Sequence, residues 1–412
     1  MKKETLWTKN FTYITAASIL SIIGGEVMNL PMSLLVFEKT QSTMLSAIIM
    51  ICGLLPDVLL SVVVAPFIDK GKKKQWIVGL DLLLMIIYFI MGTWIAKHEF
   101  QFIIYAFLSL LIGTISVFYR LAYSAWYPSL IPLGFEQKGY AISGTIYPLI
   151  IIVMSPVATF LYETVSMSTL FYIVTCILLI SILIEVQVEE NGKTEKQSYT
   201  WKHYKEDVKE GFYYLKKEKG IRNIYTYMAI TGGTSEGTSI AIQAYFQTNP
   251  VLSVTMLGFL KSAEMVGRVL SGLFQYRFEI PPKRRYGLTK FVYIIYQFAD
   301  MILLFTPFSF MIVNRFICGG LGTTSATVRE TAVQSYLPNH MRARVNALFS
   351  SLFSVGGIFF QIFAGLLGDI LPYRAVIIVM GVITYGAIWI LILQPAEVNR
   401  KVYEAVRKNE AI

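Results

Sequence analysis

Residues 43–74 read TMLSAIIMICGLLPDVLLSVVVAPFIDKGKKK, and their charge is distributed in two blocks: one charged residue, Asp57, in positions 43–68, then five in the last six positions, four of them positive. A helix crosses a hydrocarbon layer of about 30 Å with about 20 apolar residues. Cytoplasmic loops carry the excess of Lys and Arg. The stretch therefore reads as a membrane-spanning helix ending on the cytoplasmic side.

The same alternation runs outward in both directions. Apolar runs occupy 11–37, 43–68, 76–96, 100–127, 139–163, 167–186, 221–247, 254–276, 287–307, 308–332, 345–368 and 373–394. Twelve spans are predicted. These are continuous runs rather than the alternating segments of about ten residues that build a membrane β-barrel. The predicted fold class is an all-α membrane protein. Composition agrees: 55% of the 412 residues are hydrophobic and 15% charged, against about 25% charged in a soluble domain.

Of the 36 Lys and Arg, 28 fall in the terminal segments and the loops after even-numbered spans. Three (Lys39, Lys97, Arg374) fall in the opposite loops and five inside spans. Both termini are therefore expected in the cytoplasm. The net charge of +10 follows from this topology and from contact with anionic membrane lipids. It does not indicate a nucleic-acid partner. The first apolar run is too long for a signal peptide's core of about 7–15 residues, so it is expected to remain as a span. Cys52, Cys176 and Cys318 lie in apolar runs and His98, His203 and His340 in separate loops, a scatter that offers neither a disulfide framework nor a zinc site.

The chain divides into a six-span half at 1–186, a cytoplasmic linker at 187–220 and a second half at 221–412. The linker carries an apolar stripe through Trp201, Val208, Phe212 and Leu215, the pattern of an amphipathic helix lying at a membrane surface. The halves repeat. Gly24-Gly25 recurs as Gly232-Gly233, Lys72-Lys73-Lys74 as Lys283-Arg284-Arg285, and Pro132 to Ala141 as Pro338 to Ala347, with offsets of 208, 211 and 206. An offset of six spans preserves orientation, so the halves are parallel repeats.

The stretch Ala65 to Lys74 resembles the loop between spans two and three of the major facilitator superfamily, G-x-x-x-D-R-x-G-R-K, with Ala65 and Lys72 in place of its glycines. Asp69 to Lys74 followed by Gly79-Leu80-Asp81-Leu82 resembles the macrolide-efflux type of drug:proton antiporter within that superfamily. Phe118, Ala122, Ala125, Pro128, Leu130-Ile131-Pro132 and Arg344-Val345 are similar to further motifs of that group. The resemblance implies alternating access in two six-helix bundles of a bacterial inner-membrane protein acting as a monomer. It also implies proton-driven export of a small amphiphilic molecule such as a macrolide, with no cofactor beyond the proton gradient. Asp69, Lys70, Lys73, Lys74 and Asp81 would form a cytoplasmic gating latch. Import of a nutrient or small peptide is the alternative on the same fold. A scaffold or sensor is disfavoured by the latch and by the embedded charges. No phosphate-binding loop or catalytic His/Cys set is evident, so an enzyme is not expected.

Ionisable groups inside spans are costly and mark functional candidates. Glu26 and Glu236 each follow a glycine pair at matching places in the halves. Interrupted helices at corresponding positions point to a binding site, so both are expected to exchange protons. Asp57 is expected either to serve the same role or, preferably, to pair with Arg268, its approximate repeat mate. Glu264 and Arg268, four residues apart, are placed to neutralise each other with Lys261 a turn earlier. Arg120 resembles by location the arginine with which proton-coupled family members modulate a carboxylate. Arg315, near a span end, is expected to extend its guanidinium to the interface.

Overall fold

A computed structural model of the chain describes residues 5–70, 72–189, 201–338 and 341–406, with the side chains of 61–63, 65–67, 69, 70, 201–208, 343 and 347 left out. Every regular element among the described residues is helical. The first six long helices are α1 (Lys9–Thr40), α2 (Thr43–Lys70), α3 (Lys73–Ile95), α4 (Phe102–Leu130), α5 (Glu136–Thr164) and α6 (Met167–Glu185). After α7 (Trp201–Lys217) come α8 (Lys219–Thr248), α9 (Val254–Arg277), α10 (Pro282–Ile302), α11 (Phe308–Tyr336), α12 (Arg342–Ile370), α13 (Tyr373–Ala387) and the short α14 (Ala396–Tyr403).

Among the described residues, nine helices are long and apolar enough to cross a membrane: α1 to α6, α10, α12 and α13, the last extended by a π-helical segment to Leu393. The sequence predicts twelve spans, and α8, α9 and α11 are the three that fall short. Their lengths of 30, 24 and 29 residues suffice, so composition is the cause. Lys261, Glu264 and Arg268 lie in α9, Arg315, Arg329 and Glu330 in α11, and Thr, Ser and Gly crowd the middle of α8. The apolar helices turn much of their surface outward. Only 22% of the most apolar stretch of α3 and of α5 is buried, and Phe89, Phe107, Val153 and Phe160 are exposed. An exterior this apolar is matched to lipid rather than water.

The chain forms two compact units. One comprises Met1–Gln41, Ile48–Thr200 and Ser253–Ser262; the other Ser42–Ala47, Trp201–Leu252 and Ala263–Ile412. In the first, α1 packs on α5 and α6, and α3 on α4 and α6. That unit also takes in the beginning of α9, where Glu163 accepts from Val254 N at 2.6 Å and from the Thr255 hydroxyl. The second takes in the beginning of α2, where Asp369 accepts from Thr43 N at 2.6 Å and from the Thr43 and Ser42 hydroxyls, each at 2.7 Å. A carboxylate at a helix N-terminus satisfies unpaired amides and opposes the helix dipole. Glu163 and Asp369 stand 206 positions apart, the offset that separates Pro132 from Pro338.

The glycine pairs do not interrupt their helices, contrary to the expectation from sequence: α1 and α8 run unbroken through them. Gly25 has open space where a Cβ would stand, whereas one at Gly233 would run into the carbonyl of Gly356 and the ring of Phe360. The second pair is therefore a packing device that brings α8 and α12 backbone to backbone. The first leaves room beside α1. In the linker helix, Leu215 is buried and Phe212 is 66% exposed; the Trp201 and Val208 side chains lie outside the described residues. α7 rests on α12, where Arg344 donates to Glu210 at 2.5 Å.

Candidate functional site

The room beside Gly25 belongs to a cavity of about 670 Å³ inside the first unit, between α1, α2, α3, α4, α5 and α6. Its walls combine aliphatic side chains such as Leu54, Ile112 and Ile146 with the rings of Tyr88, Tyr119, Tyr123 and Tyr147. Mostly apolar walls with a few convergent polar groups are the ordinary make-up of a small-molecule site. The tyrosines of α4 recur every fourth residue, so they share one helix face. Tyr119 and Tyr123 stack at 6.2 Å between centroids, and Tyr123 and Tyr127 at 5.2 Å.

Three charged groups line this space: Asp57, Arg120 and Asp81. Arg120 donates to Asp57 Oδ1, and both side chains remain about half exposed. The expected Asp57–Arg268 pairing is therefore replaced. Arg268 instead bonds Glu264 one turn away on α9, at 2.7 and 3.2 Å, because local i,i+4 geometry satisfies it first. Glu26 lies within 3.5 Å of the Tyr147 hydroxyl and within electrostatic reach of Lys261, which gives it a cationic counterpart inside its own unit.

Asp81 departs most from its predicted setting. A latch residue would sit at the membrane surface, but Asp81 lies two turns into α3 and is 3% exposed. It accepts from Ser21 Oγ at 3.1 Å, and Ser21 in turn meets Ser181 Oγ at 3.2 Å. Its carboxyl neighbours that of Glu185 where α6 packs on α3; Glu185 is fully buried and lies 3.4 Å from the Tyr119 hydroxyl. Glu185, Ser21 and Tyr119 were not singled out in the sequence. Glu185 closes an otherwise apolar span, where a charge reads as interfacial, and only the packing of α6 on α3 brings it to a residue 104 positions away.

Of the other latch residues, Lys73 Nζ donates to the carbonyl of Ile68 and Lys74 Nζ to that of Val186, each at 2.6 Å. Both satisfy carbonyls at or near helix C-termini, where cations are favoured. The side chains of Asp69 and Lys70 lie outside the described residues. In the second unit, Glu236 accepts from Gln361 Nε2 at 3.3 Å. Arg315 does not reach for the interface: it is 7% exposed and donates to Asp300, itself 5% exposed, at 2.6 Å. An ion pair inside the unit offsets the desolvation that reaching for water would otherwise relieve.

The fold is thus all-helical with lipid-matched walls, and its first unit encloses a mostly apolar cavity with a few polar groups. The sequence matches the Major Facilitator Superfamily over residues 14–306 and 284–411. The chain belongs to that superfamily. It is 24% identical over 284 residues to macrolide efflux protein A of Streptococcus pyogenes, an alignment covering 66% of this chain and 69% of that protein. Among solved structures, a bacterial homologue of the human lysosomal transporter Spinster superposes with a TM-score of 0.69 at 12% identity, over 97% of this chain and 98% of that one. Nucleoside transporter NupG superposes at 0.67 and 13% identity, covering 93% and 99%. A mutant of peptide transporter POT in complex with sulfate superposes at 0.71 and 11%, covering 98% of each. At such identities these superpositions establish the shared fold of this superfamily member, an integral membrane protein whose relatives are transporters.

Proposed function

We propose that this superfamily member is a secondary active transporter that exports amphiphilic small molecules, macrolides or compounds of similar character, in exchange for protons. It would act as a monomer in a bacterial cytoplasmic membrane with both termini inside, exposing its cavity alternately to the two sides. The observation that carries this reading is the cavity. Apolar and aromatic walls receive the hydrophobic body of a ligand, and the tyrosine faces and the half-exposed Asp57–Arg120 pair receive a cationic or polar group. The similarity to macrolide efflux protein A supports the same ligand class.

Two six-helix halves related by repetition suit alternating access. The segment Asp69 to Lys74 is the cytoplasmic latch of this reading, with Lys73 and Lys74 holding helix ends in place. Asp69→Asn is accordingly expected to slow exchange between inward-open and outward-open states while leaving ligand affinity unchanged. Single-molecule distance measurements beside equilibrium binding would separate the two.

The decisive experiment measures accumulation of a fluorescent cationic dye and a labelled macrolide in cells with and without the chain, before and after collapse of the pH gradient. Lower accumulation that depends on the gradient is expected. Equal accumulation across the panel together with stimulated uptake of peptides or nucleosides would replace export by import.

A further inference from the structure

Asp81 and Glu185 form a site at the cavity wall, with Asp81 lining the cavity and Glu185 behind it. Both carboxyls are buried, at 3% and 0% exposure. Asp81 has one side on the cavity, while Glu185 stands in the packing between α6, α3 and α4. Among the described residues, no lysine or arginine pairs with either. Among the described residues, the groups that face them are neutral. From α1 comes Ser21, from α3 Tyr88, from α4 Tyr119 and Tyr123, and from α6 Ser181.

Independently of the clustering, Glu185 Oε2 is buried with no hydrogen-bond partner. A buried polar oxygen without a donor is costly, and two adjacent buried carboxylates without a cation are costlier still. One added proton relieves both: it sits on one carboxyl and is donated to the other. A hydrated metal ion has no route to Glu185, which has no exposed surface. A proton needs only the contact between Glu185 and Asp81, whose other face meets the cavity.

We propose that Asp81 and Glu185 together bind a single proton, with Asp81 as the point of exchange with the cavity and Glu185 as the inner acceptor. This inference rests on the transport reading and assigns its proton to a site outside the predicted carboxylates. Asp57 is already paired with Arg120 and Glu26 has Lys261 within electrostatic reach, whereas among the described residues neither Asp81 nor Glu185 has a cation paired with it. The proton would leave a cavity water for Asp81, be shared with Glu185, and return by the same oxygen when the cavity opens to the other side.

The test is an infrared pH titration of the purified full-length protein, following the C=O stretch of protonated carboxylic acids in H₂O and D₂O. The wild type is expected to show a titrating carboxylic acid band that shifts on deuteration. Glu185→Gln and Asp81→Asn should each alter or remove it, and Glu26→Gln and Glu236→Gln should leave it in place. Should a variant fail to fold, Ser21→Ala keeps both carboxyls while removing a donor to Asp81, and is expected to move the midpoint. No titrating band in the wild type, a band untouched by all three changes at the site, or a band displaced by sodium at constant pH would overturn the proposal. The same samples in liposomes under a pH gradient keep the two readings apart. Proton-driven export surviving Glu185→Gln defeats the site but not the transporter; a carboxyl titration as expected with no export of any compound defeats the transporter reading but not the site.

Discussion

Each unit of this protein buries a carboxylate, and the two surroundings differ. Asp300 lies against Arg315 across the turn between α10 and α11, a 2.6 Å contact shut away from solvent. Asp81 neighbours Glu185, and hydroxyls of Ser21 and Tyr119 are their hydrogen-bond partners among the described residues. An acid buried with a base is neutralised within the protein and has little reason to change its state. An acid buried with an acid needs something from outside. Similar desolvation thus yields a structural joint in one unit and an exchangeable site in the other.

The glycine pairs repeat this lesson in backbone geometry. Gly232-Gly233 is filled by the approach of α12, with Gly356 facing the carbonyl of Ala229 in return, whereas Gly25 looks onto open space. One element of the repeat became packing and the other became cavity wall.

The largest expected effect breaks the first half of the comparison. Arg315→Gln leaves Asp300 buried beside a neutral group and should cost about 3–5 kcal/mol of stability, read as a lowered unfolding midpoint in detergent. Adding Asp300→Asn should recover most of that loss, because the uncompensated charge is gone. Glu185→Gln should by contrast cost little, since a neutral amide replaces an acid that has no cation to lose. A large destabilisation there would argue that the acid pair is structural after all.

A smaller effect separates the glycines. Gly233→Ala should destabilise by about 1–3 kcal/mol, the usual penalty of overpacking, while Gly25→Ala should be neutral or gain up to about 1 kcal/mol from helix propensity. Thermal unfolding of the two variants side by side checks the sign. If the unfolding midpoints shift alike, the packing distinction is lost. The smallest stability effect belongs to the half-exposed pair. Arg120→Gln should change stability by less than about 1 kcal/mol yet weaken binding of a cationic dye or its export, measured by fluorescence titration and by accumulation.

These contrasts also mark how much was legible in the chain. The apolar runs, the loop bias of Lys and Arg and the repeated loops are local or periodic signals, and they yielded the helical membrane class and the superfamily resemblance. They marked twelve runs where, among the described residues, nine helices are apolar enough by composition, because α8, α9 and α11 carry polar and charged groups. Asp57 found Arg120 rather than Arg268, and Arg315 found Asp300 rather than the interface, because partner choice depends on which helix faces are adjacent.

What the sequence determined by itself was the helical, membrane-embedded class of the protein, since burying a run of side chains in lipid depends on composition along the run. What only the tertiary structure decided was the state of each embedded charge. A carboxylate's energy is set by the nearest donor, cation or second acid, and those neighbours lie 15 positions away for Asp300 and 104 for Asp81. Helix packing, not spacing along the chain, made one of them a joint and left the other with room for a proton.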